Sequence, residues 1–425
     1  MKAEHLSYET KINLGGFYTP KHIADRLYET LAAFAPPDKT DAMLEPNCGY
    51  GALLNHSYAK AVKKVVGADI DNLALKIAKA SYNNIAFYQI NALKNISRSS
   101  YGIKTDDRLL IVANPPYNDL TSQVKNGAKK IACESDGDIQ ARDLGLSSLL
   151  AFNKLRPDVL ALLHPLSYLI KKINFNRLKP FMKNYALKEA IVFNSQEFFD
   201  TLKTSGFPVL IAIYQKSDQA TSYKDIYNRS FVTIEGESFS LSQFDYIGSY
   251  IDKYPNKRAP QNHGGHLFYT MRDINALKRS KTFIKERIAN AVCVADEKLD
   301  YYCYADIFKD YAHKLPYYMG NLDIPIDRDC FGPLRESFRA LSVAKHGDIF
   351  AGKIEPPAPE FIQRAKTDAS RYFNDLFGVK KTRPPHNFND REVVALRKKH
   401  NAALPTARLC VRSVRSQRET LKDRL

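Results

Sequence analysis

A chain of 425 residues has room for two or three domains of ordinary size, and an apolar fraction of 44% is ample for packed cores, which excludes wholesale disorder. Its six cysteines, at 48, 133, 293, 303, 330 and 410, include no C-x-x-C pair, which argues against a zinc ribbon or a disulfide scaffold and suits a reducing cytosol. A net charge of +17, carried with 25 Tyr and 23 Phe, suits a polyanion whose bases can be stacked on, and no stretch approaches the roughly 18 apolar residues of a membrane span. The segment from Met1 to Asn13 is polar and lacks an apolar h-region, so a soluble, cytoplasmic protein with no membrane partner is expected.

From residue 17 to about 216 the pattern alternates helix and strand. Thr19-Pro20 reads as an N-cap followed by proline at the first helical position, with Ile23, Leu27, Leu31 and Phe34 recurring at helical spacing. Met43-Leu44 is a short strand opening onto Glu45, Pro46, Asn47, Cys48, Gly49, Tyr50 and Gly51. A second strand spans Val62 to Ile70, a helix Leu73 to Tyr82, and a third strand Ala86 to Ile90. Leu109 to Ala113 reads as a buried fourth strand, Leu146 to Leu155 as a helix, and Val159 to Leu163 as a fifth strand ending at His164-Pro165. Leu187 to Phe193 and Val209 to Tyr214 complete the set. Seven strands with interleaved helices predict an α/β domain with a doubly wound, mostly parallel sheet over residues 1–216.

Residues 217–352 carry Gly and Pro punctuation and many tyrosines, and no fold is assigned to them. From Lys353 onward 17 Lys and Arg stand against 8 Asp and Glu, which reads either as a nucleic-acid-binding arm or as a solvated tail. His263 and His266 flank two glycines but have no acidic or cysteine partner nearby, so no metal is expected.

Three strand ends carry candidate ligand chemistry. Gly49 and Gly51 sit between the first strand and the next helix, where glycine lets backbone turn sharply and approach a ligand. Residue 54 is leucine and no Walker lysine follows, so the phosphate-binding pattern is absent and a nucleoside without phosphates is the better ligand. Asp69 can accept both ribose hydroxyls, while Asp71 reads as the cap of the following helix. Asn91, ending the third strand, either reads an adenine amino edge or is an ordinary loop residue. The fourth strand releases into Asn114, Pro115, Pro116 and Tyr117. The Asn amide oxygen accepts from an amino group, proline at 115 fixes the local backbone so that carbonyls point at the same amine, and Tyr117 offers a flat face for a base.

In that order these motifs resemble the S-adenosylmethionine-dependent N6-adenine DNA methyltransferases of the amino group, in the gamma arrangement with NPPY. Gly16, Phe17, Tyr18, Thr19 and Pro20 resemble the family's N-terminal motif, which lies against the methionine part of the cofactor. Leu44 to Gly51, with Glu45 and Pro46, resembles the glycine-rich motif, and Gly67 to Asp71, with Asp69 and Ile70, the ribose-binding strand end. The family usually carries Glu where Asp69 stands, and a charged Asp where this chain has Asn91. The resemblance covers roughly residues 15 to 216. It implies S-adenosyl-L-methionine as cofactor, a target-recognition region in 217–352 and double-stranded DNA as substrate. It also implies a restriction–modification or phage setting, with a cognate restriction endonuclease as partner.

The chemistry follows from the target. An exocyclic adenine amine is a poor nucleophile because its lone pair is delocalised, and acceptors on both N6 hydrogens localise it as the transition state develops. The Asn114 oxygen and the Pro115 carbonyl take this role, without a strong base. The target atom is inaccessible in a duplex, so the base is expected to flip out and stack on Tyr117, with Phe199 (or Phe198) of the segment from Phe193 packing against it. Residues 118–145, polar with Lys125, Lys129, Lys130 and Arg142, are expected to order over the flipped nucleotide. His164 is expected to be structural. Two alternatives stand beside this: an RNA adenine-N6 methyltransferase, and a catalytically inactive nucleic-acid-binding protein with the same fold.

Overall fold

The computed structural model describes residues 19–117, 134–198 and 206–378. These fall into two compact units, one of residues 1–241 with 316–321 and one of residues 242–315 with 322–425.

The first unit is built on one sheet. Its strands are β1 (Ala42–Glu45), β2 (Lys64–Asp69), β3 (Ala86–Gln89), β4 (Leu109–Ala113), β5 (Val159–Pro165), β6 (Tyr185–Asn194), β7 (Pro208–Lys216), β8 (Phe231–Thr233) and β9 (Ser238–Phe239), in the order β3-β2-β1-β4-β5-β7-β6-β8-β9. Neighbours from β3 to β5 run parallel, and β7 runs antiparallel to both β5 and β6. This is the doubly wound, mostly parallel sheet expected from the sequence, extended by β8 and β9. The apolar runs explain the middle of the sheet: every residue of β4 and β5 is buried, as strands covered by helices on both faces require.

Helix α1 (Lys21–Leu31) buries Ile23, Ala24, Leu27, Tyr28 and Leu31 at helical spacing, and α2 (Asn72–Ser81) buries Ala74, Leu75 and Ala78. Asp71 caps α2, accepting from Leu73 N at 2.8 Å and Ala74 N at 3.3 Å, as expected. The α1 start differs from expectation. Pro20 is its N-cap, one place later than expected, and a proline side chain has no group to cap it. Helix α3 (Leu144–Leu155) is capped by Asp143, which accepts from Gly145 N at 2.9 Å.

The second unit centres on α4 (Leu299–Tyr311), α5 (Arg335–Lys345) and α6 (Pro359–Phe377). Their shared core is aromatic: Tyr304 packs against Phe338, Tyr372 and Phe373 with ring centroids at 5.1, 5.7 and 5.7 Å. A three-stranded antiparallel sheet is formed by β11 (Leu267–Tyr269) between β12 (Phe283–Ile284) and β13 (Ala291–Cys293), and β10 (Asp245–Tyr246) pairs with β14 (Pro325–Ile326). Tyr302 and Tyr304, among the many tyrosines of this region, are buried. No helix among the described residues is long and apolar enough to cross a membrane.

Candidate active site

Strand order reverses between β1 and β4, and open α/β sheets take ligands in the crevice outside the carboxyl ends at such a point. Leu44 lies opposite Ile111, so the loop from Pro46 and the segment from Asn114 leave the sheet side by side. On the other flank of β1, Glu45 lies opposite Gly67, and β2 then ends at Asp69.

Two contacts tie the glycine loop to β2. Gly49 N donates to Asp69 Oδ2 at 2.7 Å, and Cys48 N donates to the Ala68 carbonyl at 2.8 Å. Gly49 and Gly51 hold φ of 50° and 81°, the left-handed region that side chains disfavour. A Cβ on Gly51 would come 2.8 Å from Tyr82 Cε2, whereas one on Gly49 would meet nothing within 4 Å. Asp69 also accepts from Asp71 N at 2.9 Å; burial pushes its pKa up, and the two N–H bonds oppose that shift. A carboxylate has about four acceptor sites, so this one keeps capacity for a diol. Ile70 follows it, 60% exposed, as an apolar surface at the mouth of the crevice.

Glu45 is buried, and burial followed by the Asp69 charge holds its carboxyl well above the ordinary range. Its Oε2 and the Asn47 Oδ1 are buried without a hydrogen-bond partner among the described residues. Unmatched buried polar groups are costly, so two of them at one loop call for an incoming hydrogen-bonding partner. Sequence reasoning passed over Asn47; its place inside the glycine loop was the available signal.

Asn91 is half-buried, and its amide is used locally. Its Oδ1 accepts from Leu93 N at 3.0 Å and its Nδ2 donates to the Glu134 carbonyl at 2.8 Å. The loop alternative raised for it describes these bonds.

At the β4 exit, Asn114 is half-buried between two hydroxyls. Its Nδ2 donates to Thr19 Oγ1 at 3.1 Å, and its Oδ1 accepts from Tyr117 OH at 2.5 Å. The Tyr117 ring is buried rather than presented as an open face, and burial pushes its phenol pKa up. His22 Nε2 meets Glu197 Oε2 at 2.8 Å, which brings the start of α1 and the segment after β6 to one edge. Phe198 is fully buried against Phe193 at 5.5 Å and is a core residue. His164 is fully buried between Tyr214 OH, 2.8 Å from Nε2, and the Pro165 carbonyl, 3.0 Å from Nδ1, which is a structural setting. Phe17, Tyr18, Phe199 and residues 118–133 lie outside the described residues. His263 accepts from Gly265 N at 3.3 Å, and among the described residues no group of three or more His, Cys, Asp and Glu forms a metal-sized cluster.

No family model matches the chain. Over 173 residues, 40% of its length, the chain is 28% identical to the type II methyltransferase M.CvrRI of Paramecium bursaria Chlorella virus XZ-6E. It spans 41% of the length of that curated relative. The type I restriction-modification system methyltransferase subunit from Streptococcus thermophilus is similar at 18% identity and a TM-score of 0.34, over 54% of this chain and 48% of that one. The N-methyltransferase NodS from Bradyrhizobium japonicum WM9, solved with S-adenosyl-L-homocysteine, is similar at 13% identity and a TM-score of 0.29, over 46% and 87%.

S-adenosylmethionine is the expected cofactor, and the residues fit it. The orphan oxygens of Glu45 and Asn47 suit its ammonium and hydroxyl donors, and the open space over Gly49 admits close approach. Asp69 would take the ribose and Ile70 would flank the adenine.

Proposed function

We propose that this chain is an S-adenosylmethionine-dependent methyltransferase that methylates the N6 amine of a flipped-out adenine in a specific sequence of double-stranded DNA. The observation that carries this is the Asn114 amide oxygen at the β4 exit, which already accepts a hydrogen bond from a neighbouring O–H donor at 2.5 Å. An adenine amine is a donor of the same kind. When bound, the cofactor supplies an electrophilic methyl group on a sulfonium centre.

The protein's share of the work is positioning and charge. Asn114 Oδ1 and the Pro115 carbonyl accept the two N6 hydrogens, so the nitrogen lone pair is localised toward the methyl group. Fixed dipoles of this kind are worth about 10²–10³ in rate. Tyr117 gives up its bond to Asn114 as the amine arrives, and its ring turns out of its buried position to stack on the base, returning roughly 1–3 kcal/mol of the unstacking cost. The net charge of +17 supports a polyanionic substrate. A restriction–modification setting with a cognate endonuclease, and a recognition role for the second unit, complete the proposal.

The test is transfer of labelled methyl to unmethylated duplex DNA and, in parallel, to rRNA, followed by mapping of the modified base. Methyl on adenine N6 of the duplex is expected, and Asn114→Ala abolishes it while leaving cofactor affinity nearly unchanged. Transfer confined to rRNA would move the substrate to RNA. Normal turnover by Asn114→Ala would remove the mechanism.

A further inference from the structure

We propose that Thr19 is a positioning residue for the reaction: it holds the Asn114 amide with its oxygen, and not its nitrogen, facing the incoming amine. This rests on the function proposed above.

A carboxamide has two orientations of nearly equal shape and opposite hydrogen-bonding sense. With Oδ1 outward, Asn114 accepts an N–H; with Nδ2 outward, it opposes two donors to each other and the amine is repelled. Two of the groups that meet the Asn114 amide are hydroxyls, and their chemistry distinguishes the two orientations. The Tyr117 phenol oxygen is conjugated with its ring, which makes it a better donor than acceptor. The Thr19 hydroxyl is aliphatic and accepts readily. Oxygen toward Tyr117 and nitrogen toward Thr19 is therefore the favoured arrangement, at 2.5 and 3.1 Å.

Thr19 is suited to hold that arrangement. It is buried, so the Asn114 N–H loses its partner in a poorly solvated place if the hydroxyl is removed. Its β-branched side chain has few rotamers. It directly precedes Pro20 and α1, which is pinned to the core by Ile23, Leu27 and Leu31, and by Tyr28 OH donating to the Leu53 carbonyl at 2.6 Å. Thr19 lies one place before the N-cap Pro20, and no side chain caps α1. Its hydroxyl meets a residue 95 positions away.

Threonine at this place is also expected to touch the cofactor, so the test separates the two roles. Thr19→Val removes the hydroxyl at constant shape and Thr19→Ser keeps it. Cofactor affinity is read by titration calorimetry with S-adenosylhomocysteine, and methyl transfer to duplex DNA gives kcat and KM. Thr19→Val is expected to lower kcat on the order of tenfold, by more than any change in cofactor Kd, Thr19→Ser to recover most of it, and Thr19→Val on Asn114→Ala to cost nothing further in kcat. A Thr19→Val enzyme with normal kcat, beside an inactive Asn114→Ala, overturns the positioning role and leaves the proposed function standing. Weakened cofactor binding at unchanged kcat makes Thr19 a cofactor contact and likewise overturns it. An active Asn114→Ala overturns both.

Discussion

Gly49 donates its backbone N–H to Asp69 Oδ2 at 2.7 Å, so the loop leaving β1 is held by the carboxylate that ends β2. The same side chain accepts from Asp71 N through its other oxygen. The residue that shapes the glycine loop is also the one proposed for the ribose. Asp69→Ala should weaken cofactor binding at least about tenfold, the cost of one or two charge-assisted bonds. Calorimetry with S-adenosylhomocysteine measures this, and an unchanged Kd would dissociate Asp69 from the cofactor.

The two loop glycines should fail in different ways. Gly51→Ala places a methyl 2.8 Å from the Tyr82 ring at φ 81°, and should cost about 1–3 kcal/mol of stability. Gly49→Ala carries the strain of φ 50° but meets no neighbour within 4 Å, so it should cost less stability than Gly51→Ala while impairing cofactor binding more. Thermal unfolding and cofactor titration of both variants decide the matter; the same pattern in each would refute the distinction.

Asp306 of α4 is fully buried and accepts from Thr282 Oγ1 at 2.6 Å and Ser342 Oγ at 2.7 Å, with His346 Nε2 at 3.0 Å and Lys345 Nζ at 3.2 Å. Burial alone would raise its pKa; the His346 bond and the Lys345 charge outweigh it and hold the carboxyl low. A depressed folded value gives stability that is present above the unfolded value of about 4 and is lost as pH falls through the folded one. Asp306→Asn should destabilise the second unit by about 3–5 kcal/mol at pH 7 and reduce its acid sensitivity. Denaturant unfolding at pH 7 and pH 3 reads both effects, and a variant as acid-sensitive as the parent would contradict the assignment.

His164 predicts a different window. Burial pulls its pKa down to about 4, against the Pro165 carbonyl. Between that value and about 6.5 the unfolded chain binds a proton that the folded one refuses. Stability should therefore be flat above pH 6.5 and decline by roughly 2–4 kcal/mol toward pH 4. Comparison with His164→Gln isolates this slope, and equal slopes in both proteins would rule it out.

The strands of the first unit were legible because burial on both faces leaves an unbroken apolar run, as in Leu109–Ala113. What tertiary contacts decide was hidden. Lys188 and Glu189 obscured the start of β6, where pairing with β7 shifts register between Leu187 and Glu189. β8 is three residues long with Val232 42% exposed, too short and too mixed to read. Thr19 has the chemistry of a cap, and its hydroxyl meets a partner remote in sequence. The second unit's many tyrosines gave no fold, and Tyr302 and Tyr304 fill a helical core. Sequence composition counts aromatics without saying which face of a helix they occupy.

The first unit takes back residues 316–321 after the chain has left it at Leu241. Tyr317 OH reaches the Val192 carbonyl of β6 at 3.3 Å and Glu235 at 2.9 Å, and Tyr318 stacks on Phe239 at 4.8 Å. During synthesis all nine strands of the sheet therefore emerge before the residues that cover this edge. The edge must wait some eighty codons for the returning tyrosines, about 4–16 seconds at ordinary elongation rates. For that interval Val192 and Phe239 lack their final cover, which makes the nascent chain a natural client for chaperones.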